Sequence, residues 1–342
     1  MKAIGFIEHL PIEDPKSLQS FEVATPKILP HDLLVAVKGV SVNPVDVGVR
    51  RGGHGTLKQP KIIGWDAIGT VKALGSAVQN FQVGDTVYYA GSFKRQGSDA
   101  QYQAVDSRLV GHAPKQLTAA EAVTMPLTSL TAWEALFEKL NIDLKAKTEN
   151  QQHIILIING SGGVGSVAIQ LAKLAGLKVI ATASRPEAIK WVKTLGADRV
   201  IDHHADLVAQ VHKLGIQYVD YILGLAKLEA HWQEIATLIK PDGQIASITE
   251  NRKLIDLQAL TKKRATFAWE WMFSKSWFQT DNMATQGAIL DHAAALLDTG
   301  KLKSTVTKTY TGLSAKNLRQ ATKAVESGHM TGKVVVTGDW VD

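Results

Sequence analysis

The sequence predicts an α/β chain in which a doubly wound parallel sheet is joined to a β-barrel-like domain. Three observations predict it. From Ile154 onward, short apolar strands alternate with helical stretches, the pattern of βαβ units packed into a parallel sheet. Up to about residue 112 the chain instead reads as short β-rich pieces divided by turn signals. The length of 342 residues exceeds what one hydrophobic core usually holds, so two domains are expected.

In chain order, the first β-rich pieces include Leu33–Val40, Ile68–Leu74 and Asp85–Tyr89, separated by turns such as Gly52-Gly53 and Val83-Gly84-Asp85. Helical texture begins at Thr118. The strands of the second region are Ile154–Asn159, Lys178–Ala183, Arg199–Asp202, Tyr218–Leu223 and Gln244–Ile248, with helical patterns in the gaps, which is a nucleotide-binding layout. An aromatic stretch near Trp269–Trp277 precedes a helix around Gly287–Asp298. Then come Ser304–Tyr310, a helix near Ala315–Glu326 and a last strand at Lys333–Thr337, a tail expected to return to the first domain.

Composition narrows the function. There is no cysteine, which excludes disulfides, thiolate zinc sites, iron–sulfur clusters and a cysteine nucleophile. The net charge of +6 suits anionic ligands, but Lys and Arg are scattered rather than gathered into a stripe, so no nucleic-acid partner is expected. The longest apolar runs, such as Ile154–Ile158, are far too short to cross a bilayer. The first residues lack the apolar core and cleavage site of a signal peptide, so a cytoplasmic protein is expected.

Directly after the strand Ile154–Asn159 stand Gly160-Ser161-Gly162-Gly163-Val164-Gly165, which fit GxGxxG, and a helix follows. A turn without side chains lets backbone N–H groups and the positive helix end approach a pyrophosphate closely. The helix places Val164, Val167, Ala168, Leu171, Ala172 and Ala175 on one apolar face, with Gly176 as C-terminal cap. The alternative reading is a tight strand-to-helix turn that binds nothing. At the end of the second strand, an NAD site usually carries an acidic residue for the ribose hydroxyl. Here the chain reads Thr182-Ala183-Ser184-Arg185-Pro186-Glu187, and Ser184 with Arg185 suits a 2′-phosphate. NADP(H) is therefore expected over NAD(H). Ser184 and Glu187 also read as a capping box with Pro186 in the first helical turn.

These residues, together with Gly39-Val40-Ser41-Val42-Asn43-Pro44-Val45-Asp46, Gly64-Trp65-Asp66-Ala67-Ile68-Gly69-Thr70-Val71, Val83-Gly84-Asp85-Thr86-Val87, Met125-Pro126-Leu127-Thr128-Ser129-Leu130-Thr131-Ala132-Trp133 and Pro241-Asp242-Gly243, resemble the medium-chain dehydrogenase/reductase superfamily, in its quinone oxidoreductase-like branch. The resemblance spans nearly the whole chain. It implies a GroES-like β domain from residues 1–124 and 273–342, a Rossmann domain over 125–272, a cleft where they meet, and a homodimer. Some close relatives carry the label zinc-type alcohol dehydrogenase. Their catalytic ligands would fall near Asn43, Trp65 and Leu127, none of which is Cys or His, so no zinc is expected. His203, His204 and His212 read as a solvated segment, and His54 as part of a loop.

Without a metal, the simplest chemistry is hydride transfer from NADPH to a small hydrophobic acceptor, a quinone or an α,β-unsaturated carbonyl. Asn43 is the first candidate donor to the acceptor oxygen, its alternative being turn chemistry before Pro44. Thr131 is the second, unless its hydroxyl bonds back within its helix. The resemblance places Lys333 towards the cofactor. Phe267 to Phe273, with Trp277 and Phe278, read either as a substrate wall or as packing. Asp66 and Glu270 are candidate proton relays. Two other functions stay open: an alcohol dehydrogenase recruiting metal through Asp46, Asp66 or histidines, and a non-enzymatic NADPH-binding protein.

Overall fold

In the computed structural model, which describes residues 1–251 and 253–341, the chain separates into two units. One holds residues 1–130 and the segment from Phe273 onward; the other is Thr131–Met272. In chain order the strands are β1 (Lys2–Glu8), β2 (Gln19–Glu22), β3 (Asp32–Ser41), β4 (Thr56–Ile62), β5 (Ala67–Leu74), β6 (Thr86–Tyr89), β7 (Tyr102–Asp106), β8 (Val110–His112), β9 (Ile154–Ile158), β10 (Lys178–Thr182), β11 (Arg199–Ile201), β12 (Val219–Gly224), β13 (Ile239–Ser247), β14 (Thr266–Trp269), β15 (Val306–Leu313) and β16 (Lys333–Trp340).

In the first unit, β3 carries buried Leu33, Val35 and Val37 alternating with more exposed Leu34, Ala36 and Lys38, the signature of a strand with one face on a core. It sits in a sheet of order β15-β16-β3-β5-β6-β8, with β7 also on β3, while β2-β1-β4 form a smaller sheet. The tail returns to this unit: β16 runs antiparallel to β3 with Val335 opposite Ser41 and Thr337 opposite Gly39. That register sets the start of β16 beside the end of β3. Residues 43 and 333, far apart in sequence, thereby become neighbours.

The second unit is one parallel sheet of order β11-β10-β9-β12-β13-β14. In chain order that is 3-2-1-4-5-6, the Rossmann arrangement, in which the strand order reverses between β9 and β12. Ile155 to Ile158 of β9 are all buried, as in a strand covered on both faces. Leu156, Ile158, Ile180, Ile222 and Ile245 pack with Trp232 and Leu228 of the helix Leu228–Leu238 in one core. The sequence pattern predicts five strands; the sixth, β14, comes from the start of the aromatic stretch. Its four residues are too few to show a period, and only pairing with β13 makes them a strand. Among the described residues, no helix is long and apolar enough to cross a membrane.

Candidate active site

The glycine turn lies at the carboxyl end of β9, where open parallel sheets bind ligands beside the reversal of strand order. It opens the helix Gly163–Leu174, with Gly162 at the N-cap and no side-chain cap. The first N–H groups of an α-helix have no intrahelical acceptor, and they lie at the positive end of its dipole. A Cβ on Gly165 would stand 2.6 Å from the Asn159 and Gly160 carbonyl oxygens, and one on Gly160 would stand 2.9 Å from Cβ of Ala181. Close packing of strand, turn and helix therefore demands both glycines. Gly162 differs: its φ of −71° and ψ of 176° suit any residue. A Cβ there would meet nothing nearer than 3.4 Å. The expected apolar face is buried at Val167, Ala168, Leu171, Ala172 and Ala175, while Val164, beside the turn, is half-buried.

Ser184 and Arg185 follow the end of β10 and are partly exposed. The capping box is not formed. Proline takes the first helical position of Pro186–Thr194, so the N-cap is Arg185, with extended backbone and no side-chain cap. Ser184 lies one residue too early to cap. Arg185 instead pairs with Glu187 at 3.0 Å.

In the first unit, Asn43 and Lys333 come together around Asp66. Two residues before Asp66, Gly64 has a φ of +110°, and a Cβ there would lie 2.5 Å from Ser98 Oγ, so only glycine fits this close passage of the chain. Asn43, before Pro44, takes the extended backbone that a following proline favours and starts the helix Pro44–Arg51. Its backbone N–H donates to Asp46 Oδ2 at 2.6 Å, one half of a capping box. The Asn43 side chain also reaches Asp66. Its Nδ2 donates to Asp66 Oδ2 at 2.8 Å and to the Ser41 carbonyl at 3.2 Å. Lys333 Nζ donates to Asn43 Oδ1 and, at 2.9 Å, to Asp66 Oδ2. The Leu127 N–H donates to Asp66 Oδ1 at 2.8 Å.

All of these side chains are buried: Asp66 is 0% exposed, Asn43 1%, Asp46 3% and Lys333 4%. Burial pushes the Asp66 carboxyl up, against the pull of Lys333, the Leu127 N–H and Asn43. Burial likewise pushes Asp46 up to about 7, opposed by the Asn43 N–H and Lys333. Asp99, buried and near the charge of Asp46, lies well above the carboxylate range. One ammonium thus faces three buried carboxyls, each pushed above its ordinary range by burial. Asp99 has no signature in the sequence; it is found only by folding.

This donor set does not suit a catalytic zinc. Asn43, Trp65 and Leu127 bring no thiolate or imidazole, and both Asp66 oxygens are taken, one of them by an ammonium. Among the described residues, no group of three or more His, Cys, Asp or Glu could hold a metal. The aromatic stretch divides between the units. Phe273 and Trp277 pack on Phe93 at 5.4 and 6.0 Å, and Phe93 stacks on Trp65 at 5.0 Å. Phe267 belongs to the other unit and packs against Trp232 at 5.6 Å.

Also in the second unit, Thr131 is buried on the helix Pro126–Trp133. The next six residues, Glu134–Lys139, form a π-helix, a local widening often found at functional sites. Its first residue, Glu134, is hydrogen-bonded to Glu270, which follows β14 and donates its N–H to the Ser247 carbonyl at 2.8 Å. Burial and the neighbouring Glu134 push Glu270 up to about 9. The two carboxyls thus share a proton.

Residues 29–134 match the alcohol dehydrogenase GroES-like domain, and 163–286 the zinc-binding dehydrogenase family. A zinc-type alcohol dehydrogenase-like protein of Staphylococcus aureus (strain MSSA476) is 41% identical over 98% of this chain and 99% of its own. The chloroplastic quinone-oxidoreductase homolog of Spinacia oleracea is 31% identical over 94% of each. A protein of Rhizobium etli CFN 42, whose name assigns it to the zinc-dependent alcohol dehydrogenases, superposes with a TM-score of 0.92 at 44% identity, covering 99% of this chain and 98% of that one.

Proposed function

Since the chain belongs to the medium-chain dehydrogenase/reductase superfamily, with a GroES-like domain and a Rossmann domain, we propose that it is an NADP(H)-dependent oxidoreductase that reduces a quinone or an α,β-unsaturated carbonyl without zinc. Gly162 carries the cofactor half of this reading. Neither backbone angle nor packing requires glycine there, so its missing side chain is explained by a pyrophosphate seated on the helix N-terminus. The N–H groups of Ser161, Gly163, Val164 and Gly165 would hold that pyrophosphate, and Ser184 with Arg185 the 2′-phosphate. The surface ion pair of Arg185 with exposed Glu187 is of a weak kind that a phosphate can displace.

Bound there, a reduced nicotinamide supplies the hydride. The protein must bind an acceptor and meet the charge that develops on its oxygen. Asn43, Lys333 and Thr131 are the candidates. The name of the spinach relative supports a quinone as acceptor. The unfitness of the Asn43, Trp65 and Leu127 positions for a metal makes alcohol oxidation the poorer reading, because zinc promotes loss of the hydroxyl proton.

The test is a comparison of NADPH and NADH oxidation with a quinone, an enal and a ketone. We expect turnover with the quinone or the enal and a lower KM for NADPH. Arg185→Ala should raise the KM for NADPH and leave that for NADH unchanged. Equal use of NADH by the wild type would remove the assigned role of Ser184 and Arg185. Tight NADPH binding without turnover of any acceptor would favour a non-enzymatic binding protein.

A further inference from the structure

We infer that Lys333, and not Asn43, donates the hydrogen bond that stabilises the acceptor oxygen, with Asn43 and Asp66 as the residues that position it. The inference rests on the reductase reading above and follows from counting donors. An ammonium only donates, so the atom of Asn43 that meets Lys333 Nζ is its carbonyl oxygen, which fixes the orientation of the amide. Both hydrogens on Nδ2 are then committed, to Asp66 Oδ2 and the Ser41 carbonyl. Asn43 has no hydrogen left for a substrate. Lys333 has three, of which Asn43 and Asp66 take two; the third has no acceptor among the described residues.

A buried N–H without an acceptor is unfavourable unless a ligand completes it. A second such donor lies close by in sequence: Nε1 of Trp65, the residue before Asp66, is buried and has no acceptor among the described residues. The lysine itself is held firmly. Asp66 accepts from Lys333 and Asn43 on one oxygen and from the Leu127 N–H on the other, and pairing of β16 with β3 anchors the backbone at both ends of the contact. Such preorganised donors act most strongly where water is excluded.

In the step so served, an α,β-unsaturated acceptor takes hydride at its β-carbon and forms one C–H bond. The C=C electron pair shifts into conjugation, and the carbonyl oxygen takes the negative charge. Lys333 hydrogen-bonds that oxygen and keeps its proton; a solvent proton then completes the α-carbon. The acceptor gains two electrons and the nicotinamide loses two.

The test uses full-length Lys333→Met with two readouts. Its kcat with the enal should fall by about 10²- to 10³-fold, as for loss of an oxyanion donor, while its Kd for NADPH stays within about threefold of wild type. Binding of 4-nitrophenol in the presence of NADP⁺ should lower the apparent pKa of the phenol in the wild type and not in the variant. Turnover within about threefold of wild type, with an unchanged phenol titration, would overturn the assignment. Should Lys333→Met fail to fold with Asp66 left unpaired, the double variant Asp66→Asn/Lys333→Met removes both charges. It stays inactive if Lys333 touches the acceptor, and it regains turnover if Lys333 serves only as a structural partner. A wild type that oxidises NADPH with no acceptor would remove the reductase reading and this inference with it, whereas an active wild type with an active variant removes the inference alone.

Discussion

A single methyl group separates the two reasons a glycine can stand in the phosphate turn. Gly165→Ala forces Cβ to within 2.6 Å of two carbonyl oxygens, so the turn must shift, at a cost of about 1–3 kcal/mol by thermal melting. Gly162→Ala meets no such contact and should leave stability within about 1 kcal/mol of wild type, yet weaken NADPH at least about tenfold in a fluorescence titration. Unchanged NADPH affinity in Gly162→Ala would remove the pyrophosphate from this turn. The motif was readable in the sequence because its residues are contiguous. The contact of Asn43 with Lys333 was not, since 290 positions separate them and only the register of β16 on β3 joins them. Nor does residue type reveal that both amide hydrogens of Asn43 are spent.

At the scale of elements, the carboxyl end of β14 is tied to the π-helix by Glu270 and Glu134, and this tie titrates. A carboxyl raised from its usual range to about 9 binds a proton in the folded state that the unfolded chain has already lost above pH about 4.5. Stability should therefore fall as pH rises between these values, by at most about 1.4 kcal/mol per pH unit, and level off above 9. Lys139 opposes the shift and Glu138 adds to it. Glu270→Gln cannot ionise, so its stability relative to wild type should improve from pH 5 to pH 9 in denaturant titrations. A constant difference across that range would show that the pair holds no proton. Neither β14 nor the π-helix was legible beforehand. One is too short to display a period, and the other differs from an α-helix only in hydrogen-bond spacing. The capping box at Ser184 failed by one residue because Pro186 claims the first helical position and so moves the cap to Arg185.

For the whole molecule, a five-strand pattern with a glycine turn was enough to indicate the parallel sheet, because fully buried strands read as continuous apolar runs. The zinc question was also open to sequence, through the missing cysteines and the residues at Asn43, Trp65 and Leu127. What sequence lacks is the ammonium of Lys333 beside Asp66, which adds positive charge where a metal ion would need carboxylate. Hydride transfer from NADPH without zinc is tested by the rate of NADPH oxidation by a quinone before and after exhaustive chelation. We expect the same rate in both samples and no recovery or gain on adding zinc. Loss of activity on chelation, restored by zinc, would show instead that a bound metal takes part in the transfer.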